Sequence, residues 1–381
     1  MNQPSFSYWE QQTFFSQYDV IIIGSGIVGL NAAVHLKTEQ AHLKIAVLER
    51  GFLPAGASTK NAGFACFGSV TELLSEIKVY GEETVFNLVA KRMKGLKMLR
   101  ENLGDIAISF QQKGVYELFL NSYKSKTEEA FSSIDYLNQL LKPLTNHTAI
   151  FTEVNDKITD FGFNGVDGLI CNSFEGQIDT GKMMEALLQK VAALGIAIFN
   201  QCEVLSFTEE GEFIMIQTDS ALFKTRKIVF ATNGFTNQLL SEIDIKPARG
   251  QVLVTEPIKN LKINGTYHYD EGFYYFRDID RRVLIGGGRN LDFKAEESNE
   301  LKVTDLIQEK LEQLLHDVVL PNQQVKIDYR WSGIMGFGTE LEPIVKKLRK
   351  GVYLAARCNG MGVALGSLTG QEIAELVLAD L

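Results

Sequence analysis

With 381 residues, the chain is two to three times the roughly 100–150 residues of a typical domain, which predicts two domains. Its 45% hydrophobic and 22% charged residues are typical of a folded globular protein and exclude global disorder. A net charge of −9 without a long basic run disfavours nucleic acid as a partner.

The cysteines and the N-terminal residues indicate the compartment. Four scattered cysteines, at 66, 171, 202 and 358, have neither CxxC spacing nor a nearby histidine at ligand spacing, so no metal site or disulfide framework is expected. Residues 1–17 lack the pattern of a leader peptide, and no window approaches about 18 apolar residues. We expect a cytoplasmic protein with no transmembrane segment, while docking onto a membrane surface stays open.

The first predicted unit is a strand, a tight turn and a helix. Residues 19–23 form the predicted strand, whose last four residues are a continuous β-branched run, and Gly24, Gly26 and Gly29 follow at GxGxxG spacing. The apolar pattern of a helix begins at Ile27. Because a helix N-terminus presents unpaired N–H groups and the positive end of a dipole, this turn suits a pyrophosphate.

A second strand, 44–48, ends in a carboxylate. Glu49 follows Gly29 by 20 residues (49 − 29), the spacing of a dinucleotide-binding βαβ unit. In such a unit the acidic side chain accepts hydrogen bonds from ribose hydroxyls. Glu49 therefore favours an unphosphorylated adenosine ribose, as in FAD or NAD, over NADP.

The remaining elements alternate without a clear linker or repeat. Helices are predicted at 71–103, 126–141, 182–194 and 301–316, and strands at 106–110, 115–120, 197–199, 227–231, 249–256, 272–277 and 282–286, with a hairpin over 204–217. The later strands predict an antiparallel sheet with a covering helix. Alternation along 272–277 places Tyr274 with Phe276 on one face and Tyr275 with Arg277 on the other.

One loop favours FAD over NAD as the expected dinucleotide. After the second strand, GASTKNAGFACFGS (56–69) resembles the ASxRNxG stretch of the D-amino-acid oxidase superfamily of FAD-dependent oxidoreductases, which contacts pyrophosphate and flavin. Lys60 stands where many relatives have Arg. The lysine ammonium is a point donor, whereas the arginine guanidinium is a planar fork. Further blocks match this superfamily in order over nearly the whole chain: 175–188, 202–204, 227–235, 247–257, 330–345 and 351–376.

The resemblance implies the fold, the cofactor and the residues that hold it. The fold class expected is α/β (α+β overall), a Rossmann-like FAD-binding domain (18–82, 165–245 and 330–381) interleaved with an antiparallel-sheet substrate domain (83–164 and 246–329). FAD is expected to be noncovalent, since the block starting at Trp331 has no cysteine. The expected FAD-binding residues are Gly24, Ser25, Gly26, Ile27, Val28, Gly29, Glu49, Arg50, Ser58, Thr59, Lys60, Asn61, Ala62, Gly63, Val204, Ala231, Thr232, Asn233, Gly234, Gly333, Gly360, Met361, Gly362 and Val363.

The substrate side follows the family less closely. Residues 273–290 most resemble γ-glutamylputrescine oxidase-like and glycine or sarcosine oxidase-like members. Where glycine-oxidase-like enzymes hold a carboxylate with two arginines, this chain has Met335 and Gly360, which puts a glycine-like substrate in doubt. The pocket candidates, proposed as catalytic residues, are Phe64, His268, Tyr274, Tyr275, Arg277 and Arg289.

The reaction implied is oxidation of the CH–NH bond of an amine or amino acid, with hydride transfer to flavin N5 and hydrolysis of the imine. The electron acceptor is oxygen or a quinone. One alternative is an FAD-dependent 2-hydroxy acid dehydrogenase of the L-2-hydroxyglutarate type. Another is a non-catalytic FAD-binding protein, and a third is an NAD-dependent Rossmann protein, which the block order disfavours.

Overall fold

Two eight-stranded sheets organise the chain in the computed structural model, which describes residues 6–121 and 124–381. The strands are β1 (Tyr18–Ile23), β2 (Ile45–Leu48), β3 (Phe64–Ala65), β4 (Val115–Leu120), β5 (Phe151–Glu153), β6 (Val166–Asn172), β7 (Gly176–Gln177), β8 (Ala197–Phe199), β9 (Val204–Glu210), β10 (Phe213–Thr218), β11 (Leu222–Phe230), β12 (Lys246–Thr255), β13 (Thr266–Tyr269), β14 (Tyr274–Ile279), β15 (Arg282–Gly287), β16 (Ile327–Phe337), β17 (Ile344–Arg349) and β18 (Val352–Ala356). The helices are α1 (Tyr8–Thr13), α2 (Ile27–Glu39), α3 (Val70–Tyr80), α4 (Glu82–Leu103), α5 (Lys124–Ser132), α6 (Ile134–Thr145), α7 (Lys157–Phe161), α8 (Thr180–Ala193), α9 (Phe293–Glu296), α10 (Asp305–Leu314) and α11 (Gly362–Leu378).

The first sheet has the parallel centre of a dinucleotide-binding fold. Its order is β17-β18-β11-β1-β2-β8, with β1, β2, β8, β11 and β18 parallel and the β9–β10 hairpin attached to β11. Val20 and Ile22 of β1 pack into the core under α2, α8 and α11, while Ile21 and Ile23 pack into a second core on the other face. Burial on both faces explains the continuous apolar run of this strand. The predicted Rossmann-like fold is confirmed.

The second sheet provides the other wall of the molecule. Its order is β16-β12-β15-β14-β13-β4-β6-β5, and the neighbours are antiparallel except β13 and β4, which are parallel. The strands predicted to form an antiparallel sheet, at 249–256, 272–277 and 282–286, are antiparallel in the structure, and the parallel pair involves β4 and the unpredicted strand β13. Tyr267, Phe276 and Leu311 pack in a core between this sheet and α10. None of the helices in the described residues has the length and hydrophobicity needed to cross a bilayer.

Three predicted elements differ from the structure. The helical stretch predicted at 71–103 is two helices, α3 and α4, divided at Gly81. The strand expected at 106–110 is a series of turns, because Ile108 N–H bonds to Gly104 and Phe110 N–H bonds to Asp105. Ile108 is buried although it lies in a turn, and a short apolar run in the sequence does not distinguish such a turn from a strand. The single helix expected over 126–141 is two helices, α5 and α6, which meet at Ser133, where the hydroxyl bonds back to the Glu129 carbonyl.

Sheet membership bears on the division into domains, which stays a proposal. Strands β6 and β16 belong to the second sheet, where β6 pairs with β4 and β5 and β16 pairs with β12. The ranges assigned to the FAD-binding domain nevertheless contain β6 and most of β16. Helix α4 falls in the other set of ranges, yet its Gly95 lies against α11, where an added Cβ would come within 2.1 Å of the Ala364 carbonyl oxygen. We propose that β6 and β16 belong to the substrate domain and α4 to the FAD-binding domain.

A buried ion pair fixes α9 on the second sheet. The Arg249 side chain of β12 donates to both Glu296 carboxylate oxygens, at 2.9 Å and 2.7 Å. Gln251, two residues along the strand, donates to the same carboxylate at 3.0 Å. Both charged side chains are 2% exposed. Because a buried carboxylate without its cation is costly, the pair is a strong constraint on this region.

We expect Arg249→Met to lower the free energy of unfolding by about 3–5 kcal/mol, because it leaves Glu296 charged and buried. Lys78→Met, which breaks an exposed ion pair with Glu129, is the control and should cost about 1 kcal/mol or less. Urea unfolding followed by circular dichroism measures both. Equal losses in the two variants would contradict the interpretation.

Candidate active site

A cavity of about 680 Å³ is lined by residues of both sheets. The first sheet contributes the turn after β1, the end of β2 and the segment after β11. The second sheet contributes one face of β12, β13, β14 and β16. Most of the predicted site residues line this cavity, and the exceptions have specific structural roles.

The glycine-rich turn lies at one part of this cavity. Gly24 has a φ of 102°, and an added Cβ would lie 2.8 Å from the Ala231 carbonyl oxygen. Gly24, Gly26, Ile27 and Val28 line the cavity, whereas Gly29 does not. An added Cβ at Gly29 would lie 2.1 Å from the Gly24 carbonyl oxygen, so this glycine permits close packing of α2 on the turn.

Glu49 is buried at the end of β2 and is fixed by hydrogen bonds. The Ser25 N–H and hydroxyl donate to Glu49 Oε2, and the Gly51 N–H donates to Oε1 at 2.9 Å. Ser25 does not line the cavity, so its predicted contact with the cofactor is corrected to one that positions Glu49. Arg50 lines the cavity with its guanidinium 3.7 Å from the Phe235 ring centroid, and Val204 lines it as well.

The loop from 56 to 63 lies against the N-terminus of α2. Ser58 Oγ accepts a hydrogen bond from the Ile27 N–H at 2.9 Å, which caps the first turn of the helix. Lys60 lines the cavity, and within residues 6–121 and 124–381 its ammonium makes no hydrogen bond or ion pair. Asn61, Ala62 and Gly63 also line it. Thr59 does not, because its hydroxyl donates to the Pro54 carbonyl inside the loop.

Arg277 connects this loop to the second sheet. Its Nη1 donates to the carbonyl oxygens of Ala62, Gly63 and Ile178 at 3.0, 3.2 and 2.7 Å, and the residue is 4% exposed. The guanidinium therefore holds the loop in place and does not line the cavity. The structure therefore does not bring this predicted pocket residue to the cavity. Nor does it bring Tyr274 there, because the Tyr274 ring packs in the core on the opposite face of β14.

The segments after β11 and β18 complete the cofactor side. Ala231, Thr232, Asn233 and Gly333 line the cavity, as do Gly360, Met361, Gly362 and Val363 at the N-terminus of α11. Gly234 does not, since an added Cβ would lie 2.5 Å from the Met335 carbonyl oxygen of β16. Asn233 takes a left-handed φ of 43°, and its Oδ1 accepts from the Arg357 N–H. The positive end of the α11 dipole therefore lies at the cavity.

An aromatic group forms the wall on the second sheet. Phe64 stands edge-on to His268 and Tyr275, with ring centroids 5.0 and 5.5 Å apart. His268 and Tyr275 are neighbours on β13 and β14. Burial lowers the pKa of His268 to about 4 and raises the pKa of Tyr275 to about 12, so both are neutral at pH 7. All three line the cavity.

Arg289 lies in the cavity wall between two phenylalanine rings. Its guanidinium is 4.3 Å from the Phe337 ring centroid and 4.9 Å from that of Phe293. In the described part of the chain it makes no hydrogen bond or ion pair, and burial lowers its pKa without removing its charge at pH 7. An added Cβ at Gly360 would lie 3.7 Å from Phe337 and 3.9 Å from the Met335 sulfur. The Phe337 ring is therefore a neighbour of both the Arg289 cation and Gly360, one of the two positions where family arginines are absent.

Sequence reasoning missed several cavity residues: Cys66, Glu72, Glu271, Phe273 and Phe337. Glu72 had a visible signal, because SVTE (69–72) is the pattern of a capping box at the start of a helix. That pattern predicts the helix and not the cavity. The others carry no local pattern that separates a cavity residue from a core residue.

The cavity fits a dinucleotide. Gly56 and Gly362 line it, and an added Cβ at either would meet no heavy atom within 4 Å, although neither needs a positive φ. Any side chain there would project into open space next to two helix N-termini, α2 and α11, so glycine at these positions leaves room for a bound group.

The βαβ turn, the ribose-type carboxylate and the second sheet facing one cavity define a dinucleotide-dependent oxidoreductase. Residues 19–376 match the model of the FAD dependent oxidoreductase family (DAO), and the chain belongs to this family. The cofactor is therefore FAD, as the sequence predicted.

Relatives extend over most of the chain. A probable oxidoreductase, OrdL, of Haemophilus influenzae is 25% identical, with 95% of this chain and 83% of that protein covered. Gamma-glutamylputrescine oxidoreductase of Escherichia coli is 23% identical, with 95% and 84% covered. The crystal structure of L-proline dehydrogenase from P. horikoshii has a TM-score of 0.75 at 18% identity and covers 95% of this chain and 94% of its own. That last likeness confirms the fold.

We expect Gly362→Ala to keep the stability of the apoprotein but weaken FAD binding about 10- to 100-fold, because the methyl group projects into the cavity at a cost of about 1–3 kcal/mol. Flavin fluorescence titration of the apoprotein gives the dissociation constant. Thermal unfolding of the apoprotein is the control. A variant that binds FAD with wild-type affinity would show that this space is not used.

Proposed function

We propose that the chain oxidises the C–H bond next to the nitrogen of an amine or amino acid, giving an imine that water hydrolyses. The cavity wall on the second sheet carries this proposal: it combines neutral aromatic side chains with one unpaired cation, Arg289. The names of the relatives support it, since gamma-glutamylputrescine oxidoreductase and L-proline dehydrogenase are named for nitrogen compounds.

The wall favours an amine over a 2-hydroxy acid. Removing the proton of a hydroxyl group needs a strong base, and a histidine whose pKa lies at about 4 is a weak one. An amine in its free-base form has no such proton to lose before its C–H bond is broken. His268 therefore serves as a neutral polar group beside the substrate.

When bound, FAD supplies a two-electron acceptor for the hydride of the substrate carbon. The residues of the chain position the substrate and exclude water. Phe64, His268 and Tyr275 form a wall with little room for solvent, and Arg289 can bind a substrate carboxylate through two parallel hydrogen bonds.

The cysteines at the cavity support noncovalent FAD. Cys66, Cys202 and Cys358 line it, and a covalent bond to flavin would require a reactive thiolate. Burial raises the pKa of all three thiols, that of Cys358 to about 12. They are therefore protonated and unreactive at neutral pH.

The proposal is tested by anaerobic reduction of the bound flavin with panels of amines, amino acids and 2-hydroxy acids. We expect the flavin absorbance to bleach with members of the first two panels. Bleaching by hydroxy acids alone would favour the hydroxy acid dehydrogenase, and bleaching by dithionite alone would favour a non-catalytic flavoprotein. Admitting air afterwards separates an oxidase, which reoxidises quickly, from a dehydrogenase.

For an amino acid that bleaches the flavin, we expect Arg289→Met to raise the substrate dissociation constant about 10- to 100-fold, because a charge-assisted hydrogen-bond pair is lost. The matched control is the amine that lacks the carboxylate, whose dissociation constant should stay the same. The dissociation constant of Arg289→Lys for the amino acid should lie between those of the wild type and Arg289→Met. An equal loss for both substrates would show that Arg289 does not bind the carboxylate.

A further inference from the structure

Glu72 lines the cavity, and one of its carboxylate oxygens is left without a hydrogen bond among the described residues. It is the third residue of α3, after the capping serine Ser69, and its Oε2 accepts from the Ser69 N–H at 3.4 Å. Its other oxygen, Oε1, accepts no hydrogen bond from the described residues. Glu72 shares the cavity wall with Phe64 and Cys66. One oxygen thus maintains the helix cap while the other is available to a ligand.

Behind Glu72 lies a buried cluster with more acids than cations. Arg92 on α4 donates to Glu76 at 2.9 Å and is 2% exposed. Glu117 on β4 accepts from the Ser69 hydroxyl at 3.2 Å, and Glu175, before β7, accepts from the Gly68 N–H at 3.0 Å. Glu175 is 1% exposed, and its Oε2 has no partner in the described residues.

Arg92 is paired with Glu76, so Glu72, Glu117 and Glu175 have no ion-pair partner among the described residues, and burial without a cation disfavours the charged form of a carboxylate. Burial raises the pKa of Glu72 to about 7 against the opposing effect of Arg92, and neighbouring Glu76 and Glu117 raise it further. Burial also raises the pKa of Glu175 to about 8. The cluster therefore holds protons near neutral pH.

The other ionisable groups around Glu72 do not supply a competing base. Burial keeps the Cys66 thiol protonated by raising its pKa, and His268 is neutral with a lowered pKa. Glu271 on the turn before β14 is paired with Lys126 at 2.7 Å. Glu72 therefore keeps one carboxylate oxygen that no cation of the described residues contacts, whereas the Glu271 carboxylate is paired.

We propose that Glu72 Oε1 receives the ammonium group of the substrate and takes its proton, an inference that rests on the proposed amine oxidation. One N–H bond of the ammonium breaks, its electron pair remains on nitrogen, and the proton joins Glu72 to form a neutral carboxylic acid. This step is neither an oxidation nor a reduction. The substrate then has a free-base amine, the form from which a hydride can leave the neighbouring carbon.

The acid strengths match this role. An alkylammonium has a pKa of about 10.4, so transfer to a carboxylate of pKa about 7 is unfavourable by a factor of roughly 10³, against roughly 10⁶ for an ordinary glutamate of about 4.3. A hydroxyl with a pKa near that of water, about 15.7, would be far beyond reach. The buried cluster makes Glu72 a base suited to amines.

The test is Glu72→Gln, which keeps the capping box because glutamine also serves at that position. The rate of anaerobic flavin reduction by an amine from the screen is measured against pH. In the wild type it should rise through about pH 7, and in the variant it should be about 100-fold lower at pH 7. The difference should close as the pH approaches the pKa of the amine, because the substrate then arrives deprotonated. A difference that persists at high pH would overturn the proposal.

Glu271→Gln is the matched control, since it removes one negative charge from the same cavity wall. It should keep the wild-type pH dependence, and a change like that of Glu72→Gln would assign the effect to net charge and overturn the proposal. Infrared spectroscopy gives a readout without turnover: the carboxylic acid band that titrates near pH 7 should be absent from Glu72→Gln. If the band is the same in both proteins, the assignment of Glu72 as the proton acceptor is wrong even when amines are oxidised. If no amine is oxidised, both proposals fall.

Discussion

One buried guanidinium fixes the loop at the border of the cavity against the second sheet. Arg277 projects from β14 and donates to carbonyl oxygens of the 56–63 loop and of Ile178, so it joins the second sheet to the loop that borders the cavity. Gly63 makes this approach possible, because an added Cβ would lie 2.5 Å from Arg277 Nη1 and its φ is 75°. Burial lowers the pKa of Arg277 to about 10, which leaves it charged at neutral pH. This contact therefore fixes part of the border of the cavity.

Charge in the cavity wall is supplied by elements on both sides of that contact. Lys60 comes from the loop, Arg289 from the turn after β15, and Glu72 from the first turn of α3. Among the described residues, the Lys60 ammonium and the Arg289 guanidinium have no hydrogen bond or ion pair, and Glu72 keeps one oxygen without a hydrogen bond. A hydrogen bond to the Lys60 carbonyl, two rings around Arg289 and the helix cap at Glu72 hold these residues in place. Fixed side chains lose little entropy on binding, which favours recognition of a charged ligand.

Much of the cofactor half is predictable because it depends on short-range patterns. The GxGxxG turn, the strand before it and the carboxylate at Glu49 are separated by fixed spacings in one βαβ unit. Ser25 shows the limit, since the residue between two cavity glycines turns away and binds Glu49. On the second sheet, alternation separated Tyr274 from Tyr275 correctly, but it could not show that Arg277, on the Tyr275 face, ends at loop carbonyls.

The same limit explains why family arginines are a poor guide to this pocket. Met335 and Gly360 lie where those arginines are expected, and each lines the cavity without a charge. Arg289, 46 residues before Met335 by subtraction (335 − 289), lies 4.3 Å from the centroid of the Phe337 ring, and this ring is a neighbour of Gly360. The attraction between an anion and a cation depends on the distance between the two charges and not on which strand carries the cation. A motif comparison therefore detects the lost arginines, and only the folded chain shows what stands beside them.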